Sequence, residues 1–331
     1  MPIDRWFPFR ILAKRALEAW NLDGACLENL AISENVAFRV DANGQTYVLR
    51  IHRPTYHTLK ELNSELLWTK ALRKEGLDVP KPLLTPNGNA YVALPLPGSD
   101  EMRNVSILHW VEGELLGNLI GLHTDEASIR QYFGQLGQTA ARIHNQSSEW
   151  PLPEGFERPN LDVDGLVGQN PFWGNFWDLP QYDCKQTKLI KEAKQVATEV
   201  LSDYATSPRT YSLIHADLHP ENVVVSAGGL HIIDFDDSAF GWHAYELAIA
   251  ITNYTDHPLF KPIFESMVAG YGSLRPLTNS AISLIPLFVL VRRLVTLGWA
   301  SQRPEVRSQE NLFLEIKRAC RHAEEFLDSW E

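Results

Sequence analysis

The sequence predicts an α+β molecule of two lobes. A small antiparallel-sheet lobe spans residues 1–110, and a larger helical lobe spans 111–331. Three observations carry this reading. The length of 331 residues corresponds to roughly two domains of about 150 residues each. Strand-like alternation and a hairpin signal concentrate before residue 111. After Glu112-Gly113-Glu114 the character changes, and most of the remaining chain reads as helix.

The elements come in order. Ala37–Val40 and Thr46–Ile51 alternate like strands. They flank Asp41-Ala42-Asn43-Gly44-Gln45, and Asn-Gly between two such runs signals a tight hairpin. Pro54 ends the second strand. A helix is expected over Leu59–Lys74, where Leu62, Leu66, Ala71 and Leu72 recur at near-helical spacing and Gly76 lies just past the end. Val79-Pro80-Lys81-Pro82 is a stiff connector. Tyr91–Leu94 and Ser106–Val111 read as further strands. Ser128–His144 reads as a helix, with Ile129, Tyr132, Phe133, Leu136, Ala140 and Ile143 on one side. Residues 145–181 are rich in Pro, Gly, Trp and Phe and show little periodicity, which suggests a segment packed over a substrate wall. Trp173 and Trp177 there could form part of an aromatic cage for a cation. A helix is expected from Lys185 to about Tyr204, and two short strands at Val223–Val225 and His231–Ile233. Ile282–Val291 is the most apolar stretch. It is too short to cross a bilayer and contains Pro286, so it reads as a buried helix.

Composition narrows the function. Thirty Lys+Arg against 41 Asp+Glu give a net charge of −11, which argues against broad nucleic-acid binding. Cys26, Cys184 and Cys320 are odd in number and widely spaced, so neither a disulfide framework nor a zinc site is expected, and a reducing, cytoplasmic setting fits. Arg5, Arg10, Lys14 and Arg15 interrupt the apolar residues near the start, and no signal peptide or membrane partner is expected.

The chemistry concentrates in Ile214-His215-Ala216-Asp217-Leu218-His219-Pro220-Glu221-Asn222, and then in Ile232-Ile233-Asp234-Phe235-Asp236-Asp237. The two short strands, joined through Ala227-Gly228-Gly229, would form a hairpin that sets Asp217 and Asn222 facing Asp234. Three such oxygen ligands suit magnesium. Phosphoryl transfer from ATP needs this set, with a carboxylate free of the metal to accept the proton of the attacking hydroxyl. His-x-Asp-x4-Asn with Asp twelve residues later should arise by chance only on the order of once in a thousand chains of this length, so coincidence explains it poorly.

This stretch resembles the aminoglycoside phosphotransferase and choline kinase group, and the likeness runs over most of the chain. It implies a two-lobed protein-kinase-like fold and the transfer of the ATP γ-phosphate to a hydroxyl of a small metabolite. Among conceivable acceptors are amino alcohols, homoserine, hydroxylysine, sugars and aminoglycosides. The resemblance implies that Asp217 is the base, that His215 braces its loop, and that Asn222 and Asp234 hold magnesium. Asp236 would be an outer metal ligand or a substrate contact. Tyr245-Glu246-Leu247-Ala248 is similar to a helix start whose acidic residue supports the catalytic loop. A kinase-like site also needs a cation on the third strand and a helix carboxylate to hold it. Arg50 and Glu65 occupy those places, with arginine where protein kinases have lysine. No Gly-x-Gly-x-x-Gly loop is present. Ser33-Glu34-Asn35 sits where the nucleotide-covering loop belongs and could offer backbone donors. Leu108 to Val111, including Trp110, resembles the hinge that pairs with adenine. A protein Ser/Thr kinase on the same fold and a non-catalytic nucleotide-binding module are the alternatives. Retention of Asp217 speaks against the second.

Overall fold

The computed structural model describes residues 5–306 and 308–330. The chain divides into two compact units. One comprises the residues up to Glu112 together with Glu154–Glu157. The other comprises Gly113–Pro153 and Arg158 onward.

The first unit contains α1 (Phe7–Leu17), β1 (Cys26–Ile32), β2 (Val36–Ala42), β3 (Gln45–Ile51), α2 (Leu59–Lys74), β4 (Tyr91–Pro95) and β5 (Met102–His109). Its strands form one antiparallel sheet in the order β1-β2-β3-β5-β4. Ala42 pairs with Gln45 across a two-residue turn, with Asn43 at φ 53° and Gly44 at φ 74°. Positive φ at both positions is the twist-matching hairpin geometry that Asn-Gly tolerates best. The expected helix over Leu59–Lys74 is present. Thr58 opens it with a capping box to Glu61, and Gly76 lies beyond its end at φ 73°.

Two elements were not expected, β1 and α1. The α1 helix buries Leu12, Ala13, Ala16 and Leu17 against Phe38, Val40, Leu49, Ile51, Val105 and Ile107 of the sheet. The last expected strand also shifts. It begins at Met102 and stops at His109, short of Trp110 and Val111.

The second unit contains β6 (Glu114–Leu115), α3 (Leu116–Leu119), α4 (Glu126–Glu149), β7 (Asn160–Leu161), α5 (Val163–Val167), α6 (Cys184–Asp203) and β8 (Tyr211–Ile214). It continues with β9 (Val223–Ser226), β10 (Gly229–Ile232), β11 (Ala239–Trp242), α7 (His243–Thr252), α8 (Phe260–Gly272), α9 (Asn279–Ser283), α10 (Ile285–Ser301) and α11 (Gln309–Trp330). Asp125 caps α4 through the Ser128 N–H, and the helix runs to Glu149, so residues 145–149 are regular. The rest of the segment read as irregular carries β7 and α5. Strands β7, β11 and β8 form a small sheet in a region expected to be mostly helical. Pro286 falls in the first turn of α10, where its missing N–H costs nothing, and the apolar stretch continues as a buried helix. Glycines let α4 and α8 meet closely: a Cβ on Gly270 would lie 2.0 Å from the Gly134 carbonyl oxygen. Among the described residues, no helix is long and apolar enough to cross a membrane.

Candidate active site

In the second unit β8 leads directly into His215-Ala216-Asp217. Two devices set this loop. The Glu246 carboxylate on α7 accepts the N–H of His215 at 2.7 Å and of Ala216 at 2.8 Å. Ala216 has φ 63°, a left-handed conformation that a side chain with a Cβ adopts only under restraint. The His215 ring donates from Nε2 to the Ile233 carbonyl at 2.9 Å and accepts the Asp217 N–H on Nδ1 at 3.3 Å. The imidazole is therefore neutral, and burial lowers its pKa.

A single 3₁₀ turn, Pro220–Asn222, carries the chain into the β9–β10 hairpin. The expected hairpin forms, with Ile232 opposite Val223, but its second strand starts at Gly229, which pairs with Ser226, and stops short of Ile233. The Ile233 N–H bonds to the Asn222 carbonyl at 3.0 Å, so Asn222 sits across from the residue that precedes Asp234. Asp234 itself has φ 61°. Asn222 Nδ2 donates to the Asp217 carbonyl oxygen at 2.9 Å and to Oδ2 at 2.8 Å. That contact turns the amide oxygen away from Asp217. An amide oxygen and two carboxylates on one hairpin end make an all-oxygen donor set, which fits a hard divalent cation. Asp236 is buried, and its carbonyl accepts the Arg158 guanidinium, which also bonds to the Ser238 carbonyl.

In the first unit Arg50 on β3 and Glu65 on α2 form a buried ion pair, with Nη1 to Oε1 at 3.2 Å. Ser33-Glu34-Asn35 is a tight loop between β1 and β2. The Ser33 N–H is already donated to the Asn35 carbonyl at 2.9 Å, so it is not one of the backbone donors expected there. Arg53 fixes the loop through Glu34 at 2.7 Å. Leu108 lies inside the sheet, opposite Val48 on one side and bridged to Pro82 on the other. The N–H groups of His109 and Trp110 bond to the carbonyls of Lys81 and Thr46. The Trp110 ring lies 5.0 Å from the Arg39 guanidinium.

A family model described as "Phosphotransferase enzyme family" matches residues 28–279, a span that contains every one of these residues. The chain belongs to that family. It is an ATP-dependent phosphotransferase, and its relatives include kinases of small molecules. It is similar to the structure of a microcompartment-associated aminopropanol kinase, with a TM-score of 0.85 and 32% identity over 97% of this chain and 98% of that one. Amicoumacin kinase of Bacillus subtilis is 25% identical over 82% of this chain and 79% of its own. The fold is shared with choline kinase LicA from Streptococcus pneumoniae, with a TM-score of 0.68 and 15% identity over 96% and 99% of the two chains.

Asp217 of this phosphotransferase is crowded with donors. Arg292 on α10 donates from Nη2 to Oδ1, and His219 Nε2 lies 3.1 Å from Oδ2. His219 in turn reaches Glu221 through Nδ1 at 2.7 Å. Burial pushes the Asp217 carboxyl up, but His219 and Arg292 outweigh it and hold it well below the usual carboxylate range. Burial also disfavours the charged His219 ring, yet Asp217 and Glu221 raise it to about 10. Burial pushes Glu246 up to about 7, against the pull of His215 and the two N–H donors.

Two cations of the phosphotransferase are not signalled by the sequence. Arg292 stands out there only as a charge ending an apolar run, and Arg158 lies within an irregular segment. The aromatic cage is not formed. The guanidinium of Arg292 lies 5.8 Å from the Trp173 ring, and the ammonium of Lys194 lies 4.5 Å from Trp177, so each ring faces a cation of the chain itself.

Proposed function

We propose that this phosphotransferase moves the γ-phosphate of ATP to the hydroxyl of a small amino alcohol, with magnesium as the metal. The observation that carries the reading is Asp217: an ionised carboxylate, gripped on a rigid loop, beside an oxygen donor set of its own hairpin. The acceptor class rests on 32% identity to an aminopropanol kinase over nearly the full length of both chains.

Asp217 orients the acceptor hydroxyl and takes its proton as the oxygen–phosphorus bond forms and the bond to the ADP oxygen breaks. A weak base suffices, because the loose transition state of phosphoryl transfer asks for positioning more than for proton abstraction. Asn222 Oδ1 and the carboxylates of Asp234 and Asp236 would hold magnesium, which offsets phosphate charge when bound. His215 and Glu246 keep the loop in shape. In the first unit Arg50, oriented by Glu65, binds phosphate oxygens through its planar fork, and the Ser33–Asn35 loop covers the nucleotide. Since the N–H groups of His109 and Trp110 are bonded within the unit, adenine takes the Trp110 carbonyl and the backbone beyond it. A cytoplasmic setting suits ATP use and three unpaired cysteines.

The test is ATP- and magnesium-dependent phosphorylation of a panel containing 1-aminopropan-2-ol, ethanolamine, choline and homoserine. Transfer to an amino alcohol, abolished in Asp217→Ala with an unchanged melting temperature, is the expected result. Failure to phosphorylate any hydroxyl compound, or full activity in the variant, refutes the mechanism.

A further inference from the structure

An amino alcohol brings two hydrogen-bond donors to the site, and the wrong one is the stronger. Its ammonium would pair with an open carboxylate better than its hydroxyl, because charge-assisted hydrogen bonds are about twice as strong as neutral ones. An ammonium seated on Asp217 would leave the hydroxyl away from the phosphate. A kinase for such acceptors must make its base attractive to O–H and unattractive to a cation.

The geometry around Asp217 does this. An ionised carboxylate offers about four acceptor positions over its two oxygens. Asn222 at 2.8 Å and His219 at 3.1 Å fill Oδ2. Arg292 takes one position on Oδ1 and leaves one. The three donors differ in charge. Asn222 is neutral, and the His219 charge is shared with Glu221 at 2.7 Å. Arg292 comes from α10, 75 residues along the chain, and aims its charge at Asp217 itself. Its side chain is mostly buried. Trp173 lies against the guanidinium, and Tyr245 and Asp237 also face it, so it is held in place.

We propose that Arg292 is a positioning residue that reserves Asp217 for the acceptor hydroxyl and denies it to the acceptor's ammonium. This rests on the amino-alcohol reading of the site.

The experiment compares wild type, Arg292→Met and Arg292→Lys with 1-aminopropan-2-ol as acceptor and propylamine, which lacks the hydroxyl, as inhibitor. Melting temperature and AMP-PNP affinity report on folding, and Arg292→Gln carries the same comparison if the methionine variant does not fold. In Arg292→Met, kcat should fall about 100-fold, while KM for the amino alcohol stays level or drops. The inhibition constant of propylamine, competitive with the acceptor, should tighten about tenfold. Arg292→Lys should restore most of kcat and the weak inhibition of the wild type. An equal loss of kcat with propylamine inhibition unchanged or weaker would overturn the inference and leave the acceptor reading standing. A wild type that phosphorylates other hydroxyl compounds but no amino alcohol would overturn both.

Discussion

In the first unit Arg50 pairs with Glu65, fifteen residues along the chain. In the second unit Asp217 meets an arginine 75 residues away, a histidine two residues away and an amide five residues away. Both are charges removed from water, which is costly unless compensated. The Arg50–Glu65 contact joins two side chains on elements adjacent in the chain. The Asp217 arrangement is a network, in which each donor also fixes another part of the loop. A pair can be exchanged for another pair of similar shape. A network cannot, because every partner also sets where the shared member points.

Four outcomes break or sharpen the contrast, the largest first. Asp217→Ala should lower kcat about 1,000-fold or more, the range expected for loss of a general base, with AMP-PNP affinity by calorimetry close to wild type. Arg50→Met should cost about 3–5 kcal/mol in urea unfolding, because it strands Glu65 as a lone buried charge. The double change Arg50→Met with Glu65→Met should recover most of that stability while raising KM for ATP at least about tenfold. Recovery of ATP binding in the double variant would mean that the pair is structural only.

The third outcome concerns pH. Glu246 has a folded pKa of about 7 against an ordinary value of 4.5, so the folded state binds the extra proton. Between those values the native protein holds more protons than the unfolded chain, and stability therefore falls as pH rises from about 4.5 to 7. The size is about 3 kcal/mol at 1.36 kcal/mol per unit. Unfolding titrations at several pH values should show this slope, and Glu246→Gln should flatten it. The smallest effect is Arg50→Lys. It keeps the charge and loses the fork, and should raise KM for ATP a few-fold with kcat nearly unchanged.

The same contrast explains what could be read from the sequence. The Asn43-Gly44 hairpin and the helix over 59–74 are specified by neighbours in the chain and form where their patterns predict, and the β9–β10 hairpin forms with its second strand shifted to begin at Gly229. Arg50 and Glu65 are legible because a strand and the next helix bring them together. Arg292 is not, since nothing near residue 292 records a partner at residue 217. Arg158 is likewise hidden: it bonds to the backbone carbonyls of Asp236 and Ser238, which leave no trace in side-chain identity. Strands β8 and β11 are four residues each, too short for alternation to stand out. Helix α1 escapes notice because its buried stripe is narrow, and Arg10, Lys14 and Arg15 are interleaved with it.

Under the proposed mechanism, Glu246 also ties activity to the order in which the protein assembles. It lies on α7, whose ten residues are all buried, so its carboxylate reaches the His215 and Ala216 N–H groups only once that helix is in its final seat. Until then the His215 and Ala216 N–H groups lack the acceptor that helps hold Ala216 in its left-handed conformation, and the loop keeps only its other braces. The core must therefore close before Asp217 can serve as the proposed base. On heating, activity should disappear with the undocking of α7 rather than with the melting of the exposed strands.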